Sequence, residues 1–463
     1  MFKRILIANR GEIALRVLRA CREMEIETVA VYSTADAEAL CVQLATRAVC
    51  IGPAKAADSY LNQNALLTVA KATGCDAVHP GYGFLSENAD FADACAANGL
   101  TFIGPSGDTI RSAGSKAAAC ALMRAAGVPT VPGSDGALAD ADQALEVAEA
   151  VGYPVLVKAA AGGGGRGIRR CDKPEDLPAA FEAARAEAVA CFGNGELYLE
   201  KCIVNPRHIE FQILADSKGN TLHLFDRDCS VQRRNQKLIE EAPARCLTPA
   251  LRASMGAAAV RAARAVGYEN AGTVEFLLDR DGVHFYFMEM NTRIQVEHGI
   301  TELVTGVDLV RQQIRIAAGL PLPLTQAEVH LSGHAIECRV NAEDPTAAFR
   351  PSPGTADFVH FPGGCGVRVD SCLYSGYALP PYYDSLAAKI LVHAPTRLDA
   401  IRRMRRALEE LTIEGFPTNA ELSHLILYHP DFLRGACTTS FLEENLDALV
   451  AWGRRAMEQG ERA

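Results

Sequence analysis

Polar residues fall at every second position in the run Glu289-Met-Asn-Thr-Arg-Ile-Gln-Val-Glu297. Side chains alternate along an extended segment, so a strand here would put Glu289, Asn291, Arg293, Gln295 and Glu297 on one face. Carboxylates, amides and a guanidinium are the groups that hold a metal ion, seat an oxyanion and take up a proton. This face reads as the wall of an active site.

Just upstream, the strand-like runs 272–279 and 283–290 flank the turn signal Arg280-Asp-Gly282. A hairpin with that turn sets Glu275 nearly opposite Glu289. Facing carboxylates destabilise a sheet, and a cation between them removes the repulsion. Glu275, Glu289 and Asn291 offer only oxygen ligands, which suits Mg²⁺ or Mn²⁺ and argues against zinc. The plainer alternative is a hairpin whose polar face is merely solvated.

A second chemical signal is Lys158-Ala-Ala-Ala-Gly-Gly-Gly-Gly-Arg-Gly167, between two short strand-like runs. Consecutive glycines expose bare amides that can wrap a polyanionic phosphate, and Lys158 enters the loop within reach of it. No Gly-x-x-x-x-Gly-Lys-Ser/Thr opens a helix here, so this is not a Walker loop. The polar run Gln232-Arg-Arg-Asn-Gln-Lys237 reads as a loop between a strand and a helix. It is either solvated or lends its cations to an anion pocket. His79-Pro-Gly-Tyr-Gly-Phe-Leu-Ser-Glu-Asn88 follows a short strand, where α/β proteins place binding loops, and a structural turn explains it equally well.

These segments need a scaffold. At 463 residues the chain exceeds one ordinary core, and two or three domains are expected. Strand 4–8, turn 9–11, helix 12–24 and strand 28–32 alternate as in a parallel α/β sheet. A Pro/Gly-rich boundary at 128–136 introduces a compact module of about seventy residues with the look of an inserted lid. Antiparallel-looking strands 208–214 and 221–225, helix 249–266 and the carboxylate hairpin complete a centre. A third region follows Gly319-Leu-Pro-Leu-Pro323, with a strand at 333–340 and terminal helices. The expected fold class is α/β and α+β. The parts are an N-terminal parallel α/β domain (1–114), a central domain (115–330) with a lid at about 131–203, a β-rich C-terminal domain (331–446) and a tail (447–463).

Composition narrows the function. Hydrophobic residues at 49% and charged residues at 22% are ordinary for a globular protein and exclude a disordered chain. A net charge of −10 argues against a nucleic-acid partner, which clustered Lys and Arg would serve. Fifteen cysteines, an odd number without Cys-x-x-Cys pairs, read as buried fillers in a reducing compartment. The opening run enters a strand directly, without a leader, and no apolar stretch reaches membrane length. A cytoplasmic location is expected.

Ten strings in order resemble the biotin carboxylase family within the ATP-grasp superfamily. They are Ile7-Ala-Asn-Arg-Gly-Glu-Ile-Ala14, the 79–88 loop, the glycine loop, Asn205-Pro-Arg-His208, Arg227-Asp-Cys-Ser230, Gln232-Arg-Arg, Gln236-Lys, Glu289 through His298, Arg339-Val-Asn-Ala-Glu-Asp344 and Pro380-Pro-Tyr-Tyr-Asp-Ser385. The resemblance implies a three-part ATP-grasp architecture and MgATP-dependent carboxylation of biotin by bicarbonate through carboxyphosphate. It implies ATP contacts at Lys116, Lys158, Gly164, Gly165, Glu200, Lys201, Ile203, His208, Asn235, Glu275 and Glu289. Glu275, Glu289 and Asn291 would hold two Mg²⁺ or Mn²⁺ ions. Lys237, Arg293, Gln295 and Val296 would hold bicarbonate, with Glu297 as base, and Tyr82 and Arg339 would face biotin. Other acyl-phosphate-forming ATP-grasp ligases, or a catalytically silent nucleotide-binding regulatory subunit, are the alternatives.

Three positions depart from the family's commonest pattern: Asn235 for His, Ser115 for Asp and Gly299 for Pro. None removes a required charge. Family dimers use positions matching Arg19, Glu23 and Arg368, all present, while Cys365 replaces Phe, and a homodimer is expected. No Ala-Met-Lys-Met-like biotin attachment site precedes Ala463. The biotin carboxyl carrier protein and the carboxyltransferase are therefore expected as separate chains, with the acyl-CoA acceptor chosen by the transferase.

Overall fold

The computed structural model describes residues 1–114, 116–159 and 167–458. The glycine loop with Gly164 and Gly165, and Ser115, lie outside them. The chain opens with β1 (Arg4–Ile7), the helix Gly11–Glu23 and β2 (Glu27–Ser33), followed by β3 (Arg47–Gly52), β4 (Ala77–His79) and β5 (Thr101–Phe102). These strands form one parallel sheet in the order β3-β2-β1-β4-β5. Ile5, Leu6 and Ile7 are all buried, because helices cover both faces of a parallel sheet and leave no solvent side. The helix turns Ile13, Val17, Leu18 and Cys21 inward. Gly11, at φ +67, makes the turn into it, a conformation glycine adopts without strain.

Three antiparallel strands, β6 (Val155–Ala159), β7 (Ile168–Cys171) and β8 (Leu197–Lys201), pair in the order β7-β6-β8. The helices Ala141–Val151 and Leu177–Phe192 cover them over a separate core of Val155, Val157, Phe181, Leu197 and Leu199. Asp140 caps the first helix by accepting from the Gln143 N–H, which satisfies one of its free amides.

The largest sheet is built from β9 (Arg207–Ala215), β10 (Thr221–Arg233), β11 (Gln236–Ala242), β12 (Asn270–Leu278), β13 (Phe285–Asn291) and β14 (His334–Asn341). After the short strands β15 (Glu343–Asp344), β16 (Arg350–Pro351) and β17 (Phe358–His360) it is completed by β18 (Val367–Ser371) and β19 (Leu386–Ala394). Its eight strands run β13-β12-β9-β10-β11-β14-β19-β18, all antiparallel. Because β11 pairs with β14, one sheet continues across the boundary expected near residue 330. Residues 447–458, expected as a tail, belong to the helix Phe441–Glu458. Among the described residues no helix is long and apolar enough to cross a membrane.

Two local expectations are corrected. The run 289–297 is not one extended strand: β13 ends at Asn291, and a loop leads to the helix His298–Thr305. The chain leaves the sheet there because Ile294 is drawn into the core against the N-terminal part and the Thr292 N–H donates to Glu87 at 3.0 Å. The run 232–237 is a hairpin tip, with Arg233 opposite Gln236 and Arg234 and Asn235 as the turn at φ +46 and +67. Two consecutive left-handed residues make the turn that matches strand twist, and no Asn-Gly advertised it.

Candidate active site

Register explains how the acids meet. Glu289 on β13 faces Glu275 on β12, Glu275 faces Glu210 on β9, and Glu210 faces Arg227 on β10. Three carboxylates in neighbouring positions repel unless cations lie among them. Lys237 supplies one: its Nζ donates to Glu210 at 2.6 Å, Glu275 at 3.0 Å and Glu297 at 2.7 Å. Burial alone would lower the Lys237 ammonium, but Glu210, Glu275 and Glu297 raise it well above the ordinary lysine range. His208 Nε2 lies 2.9 Å from the second Glu275 oxygen.

Glu297, 1% exposed, begins the helix His298–Thr305. One of its oxygens takes Lys237, and the other takes Arg339 at 2.8 Å. Burial would raise this carboxyl, yet Lys237, Arg339 and Arg227 hold it well below the usual carboxylate range. Arg339 also donates to Glu240 at 2.6 Å. Burial pushes the Glu240 carboxyl up to about 7 even with Arg339 beside it.

The loop after β13 carries the remaining groups. Arg293 donates to Glu87 at 2.9 Å and to the Asn291 amide oxygen at 3.0 Å. Gln295 and Asn291 donate to Glu275 at 2.6 and 2.9 Å. The Tyr82 hydroxyl donates to Glu12, while Asn9 clamps the Tyr82 loop through the carbonyls of Pro80 and Tyr82, each at 2.7 Å. Lys158 pairs with Glu200 across the three-stranded sheet.

Most of these groups line one cleft of about 1500 Å³ between the N-terminal sheet, the three-stranded sheet and the large sheet, while Glu210, Arg227, Glu240 and Glu87 stand behind its walls. Lys158, Glu200, Ile203, His208, Asn235, Glu275 and Glu289 stand on its walls, as do Asn291, Arg293, Gln295, Val296, Glu297, Lys237, Arg339 and Tyr82. Lys116 opens the helix Lys116–Ala125. Lys201 is the exception: its ammonium donates to the carbonyls of Gly152 and Tyr153 at 2.8 and 3.1 Å and turns away. The donor set Glu275, Glu289 and Asn291 is all oxygen on adjacent strands, which fits a hard divalent cation.

Residues 1–110 match the biotin carboxylase N-terminal domain, 115–325 the ATP-binding domain of the carbamoyl-phosphate synthase L chain, and 337–444 the biotin carboxylase C-terminal domain. The biotin carboxylase of Nostoc sp. is 57% identical over 443 residues, spanning 96% of this chain and 99% of the relative. The chain belongs to the biotin carboxylase family. Biotin carboxylase 1 of Bacillus subtilis is 54% identical over 96% of this chain and 98% of its own. The Campylobacter jejuni biotin carboxylase structure superposes with a TM-score of 0.91 at 48% identity, covering 96% of this chain and 99% of that one. The biotin carboxylase domain dimer of Hydrogenobacter thermophilus 2-oxoglutarate carboxylase, solved with MgADP, ADP and bicarbonate, gives 0.90 at 51% identity over 97% and 99%.

Reading residues singly missed the members of this biotin carboxylase site that act through others. Arg227 is wholly buried and gives its N–H groups to Glu210, Gln212, Thr301, Thr273 and Gln295. Glu210, Glu240 and Glu87 each orient a cation. For Glu210 and Glu240 the signal was a charged residue inside an otherwise apolar strand, as in His208-Ile-Glu-Phe-Gln-Ile-Leu214, a placement that requires a partner, whereas Glu87 sits in an exposed turn that carries no such signal.

Behind the site, on the opposite face of β11 from Glu240, Glu241 accepts from Arg397 at 2.6 and 2.8 Å and lies 3.0 Å from His334 Nε2. Burial would raise its carboxyl, but His334 and Arg397 bring it down to about 2. The unfolded chain therefore takes up this proton first. The stabilisation is complete above the ordinary value of 4.5 and is lost as pH falls to about 2. Glu241→Gln is expected to lower Tm at pH 7 and to flatten the acid limb across that window, read by thermal unfolding over a pH series.

Proposed function

We infer that this chain carries out the ATP-dependent carboxylation of biotin by bicarbonate, the reaction its family is named for. The observation that carries the reading is the single ammonium of Lys237 gathering Glu210, Glu275 and Glu297, with Arg339 on the far oxygen of Glu297.

Bicarbonate is both a poor nucleophile and a poor electrophile, so it must lose its proton while held in line with the γ-phosphoryl group. Lys237 and Arg293 seat the anion beside Gln295 and the Val296 backbone. Glu297 is ionised and takes the proton. The anion draws Lys237 from Glu297 and adds negative charge beside it, and both effects raise the proton affinity of the carboxylate at the moment it is needed. Lys158, Glu200, Ile203, His208 and Asn235 hold the nucleotide, with Gly164, Gly165 and Lys116 completing its cradle. Glu275, Glu289 and Asn291 hold Mg²⁺ or Mn²⁺, which when bound neutralises the phosphate oxygens as charge develops. Carboxyphosphate then releases carbon dioxide and phosphate inside the cleft, and the phosphate takes the ureido proton of biotin. Arg339 stabilises the enolate formed there, with Tyr82 against the ring.

The test uses purified protein with MgATP, labelled bicarbonate and free biotin. Labelled carboxybiotin is expected, abolished by EDTA and restored by Mg²⁺ or Mn²⁺ but not by Zn²⁺. Absence of product with all substrates present contradicts the reading.

The biotin is supplied on a separate carrier chain and passed to a separate carboxyltransferase. In support, the Nostoc, Bacillus, Haemophilus and Pseudomonas relatives named biotin carboxylase are spanned to 98–99% of their length and the chloroplastic ones to 83–85%. The chain pairs with a second copy through the face bearing Arg19, Glu23 and Arg368, and it works in the cytoplasm. The fifteen cysteines without a Cys-x-x-Cys pair agree with a reducing compartment.

A further inference from the structure

Lys389 on β19 has none of its surface exposed, and no step described above uses it. Its Nζ donates to the Val296 carbonyl at 2.6 Å and stands 3.2 Å from the Glu12 carboxylate and 3.8 Å from that of Asp370. Enclosing an ammonium carries a desolvation penalty that an apolar side chain of similar length avoids. Filling space therefore does not account for a lysine here.

Its partners do. The Val296 carbonyl belongs to the peptide that carries the Glu297 N–H, so the bond fixes the backbone from which Glu297 reaches Lys237 and Arg339. Glu12 is the acceptor of the Tyr82 hydroxyl. In the sheet, Lys389 lies opposite Arg339 on β14 and opposite Asp370 on β18. One ammonium thus touches the N-terminal part, the substrate loop and the last strands.

We propose that Lys389 is a positioning residue that locks the Val296–Glu297 peptide and the Tyr82 arm together, setting the separation between the bicarbonate side and the biotin side of the cleft. This rests on the functional reading above. A misplacement of about 1 Å at a reacting group costs on the order of 100-fold in rate. The nucleotide side is held by other elements, so loss of Lys389 separates the two halves of the reaction and leaves ATP binding intact.

The experiment compares the parent with Lys389→Met, measuring KM for ATP, kcat for carboxybiotin and the ATP hydrolysed per biotin carboxylated. The expected result is a kcat lower by about 100-fold, a KM for ATP within about twofold, and more ATP hydrolysed per product formed. A kcat within about threefold of the parent, or a KM for ATP rising in step with the fall in kcat, overturns the proposal. Should Lys389→Met not fold, Glu12→Gln keeps the Lys389 bond to Val296 while removing the Lys389–Glu12 ion pair and weakening the Tyr82 arm. Its KM for biotin is then expected to rise about tenfold, the worth of a hydrogen bond to a charged group, with KM for ATP and bicarbonate unchanged. An unchanged KM for biotin overturns the proposal. A parent that makes no carboxybiotin overturns both readings, whereas an active parent with an unaltered variant overturns only the role of Lys389.

Discussion

Glu297→Gln is expected to lower carboxybiotin formation by about 10²–10⁴-fold, the range a positioned general base contributes. The amide keeps the size of the side chain and its place at the start of the helix His298–Thr305, but it cannot take the proton from bicarbonate. Lys237 keeps Glu210 and Glu275 as partners and Arg339 keeps Glu240, so neither cation is stranded. Because Lys237 loses one competing carboxylate, KM for bicarbonate is expected to hold or fall while kcat collapses. Initial rates with labelled bicarbonate and free biotin read both quantities. Equal product from parent and variant would remove Glu297 from its assigned role.

Arg227→Met is expected to destabilise the chain by about 3–5 kcal/mol, the penalty for stripping one partner from a buried ion pair. The guanidinium and the Glu210 carboxylate are both fully enclosed. Methionine would also leave the buried acceptors on Gln212, Thr301, Thr273 and Gln295 without their donor. Arg227→Lys is expected to fall between parent and methionine variant, since one ammonium replaces the charge but not the planar fork. Urea unfolding measures the difference. A methionine variant within about 1 kcal/mol of the parent would mean that Glu210 is compensated by Lys237 alone, against the burial argument.

How much of this was written in the chain depends on the length scale of each interaction. The meeting of Glu275 and Glu289 was only partly legible: the short connection brings the two strands together, but the carboxylates face one another because a register shift between Glu275 and Phe276 offsets the pairing by one residue, and no local sequence signal marks it. Helix 12–24 and the opening strands were legible from periodicity. The departure of the chain after Asn291 was not, because it depends on Ile294 finding a core contributed by residues several hundred positions away. The continuity of β11 with β14 was hidden for the same reason: nothing local in either strand names its partner. Of the site, the residues that meet substrate stood out by type and spacing. Arg227, Glu240 and Lys389 did not, since a charged residue in an apolar strand announces that it has a partner without saying which.

The departures from the family pattern take on physical meaning in the fold. Asn235 occupies a left-handed turn position at φ +67, which Asn tolerates better than most residues. Gly299 sits where a Cβ would come within 2.4 Å of Leu391, so the small residue and the leucine beneath it are matched.

The most direct test of the account is the fate of a bicarbonate oxygen. If Glu297 takes the proton of a bicarbonate seated by Lys237 and Arg293, and its oxygen then attacks the γ-phosphoryl group, bicarbonate labelled with ¹⁸O leaves one labelled oxygen in the inorganic phosphate of each turnover. Mass spectrometry of the phosphate formed during biotin carboxylation reads this, and one label per phosphate is predicted. Unlabelled phosphate, with carboxybiotin still produced, would contradict it.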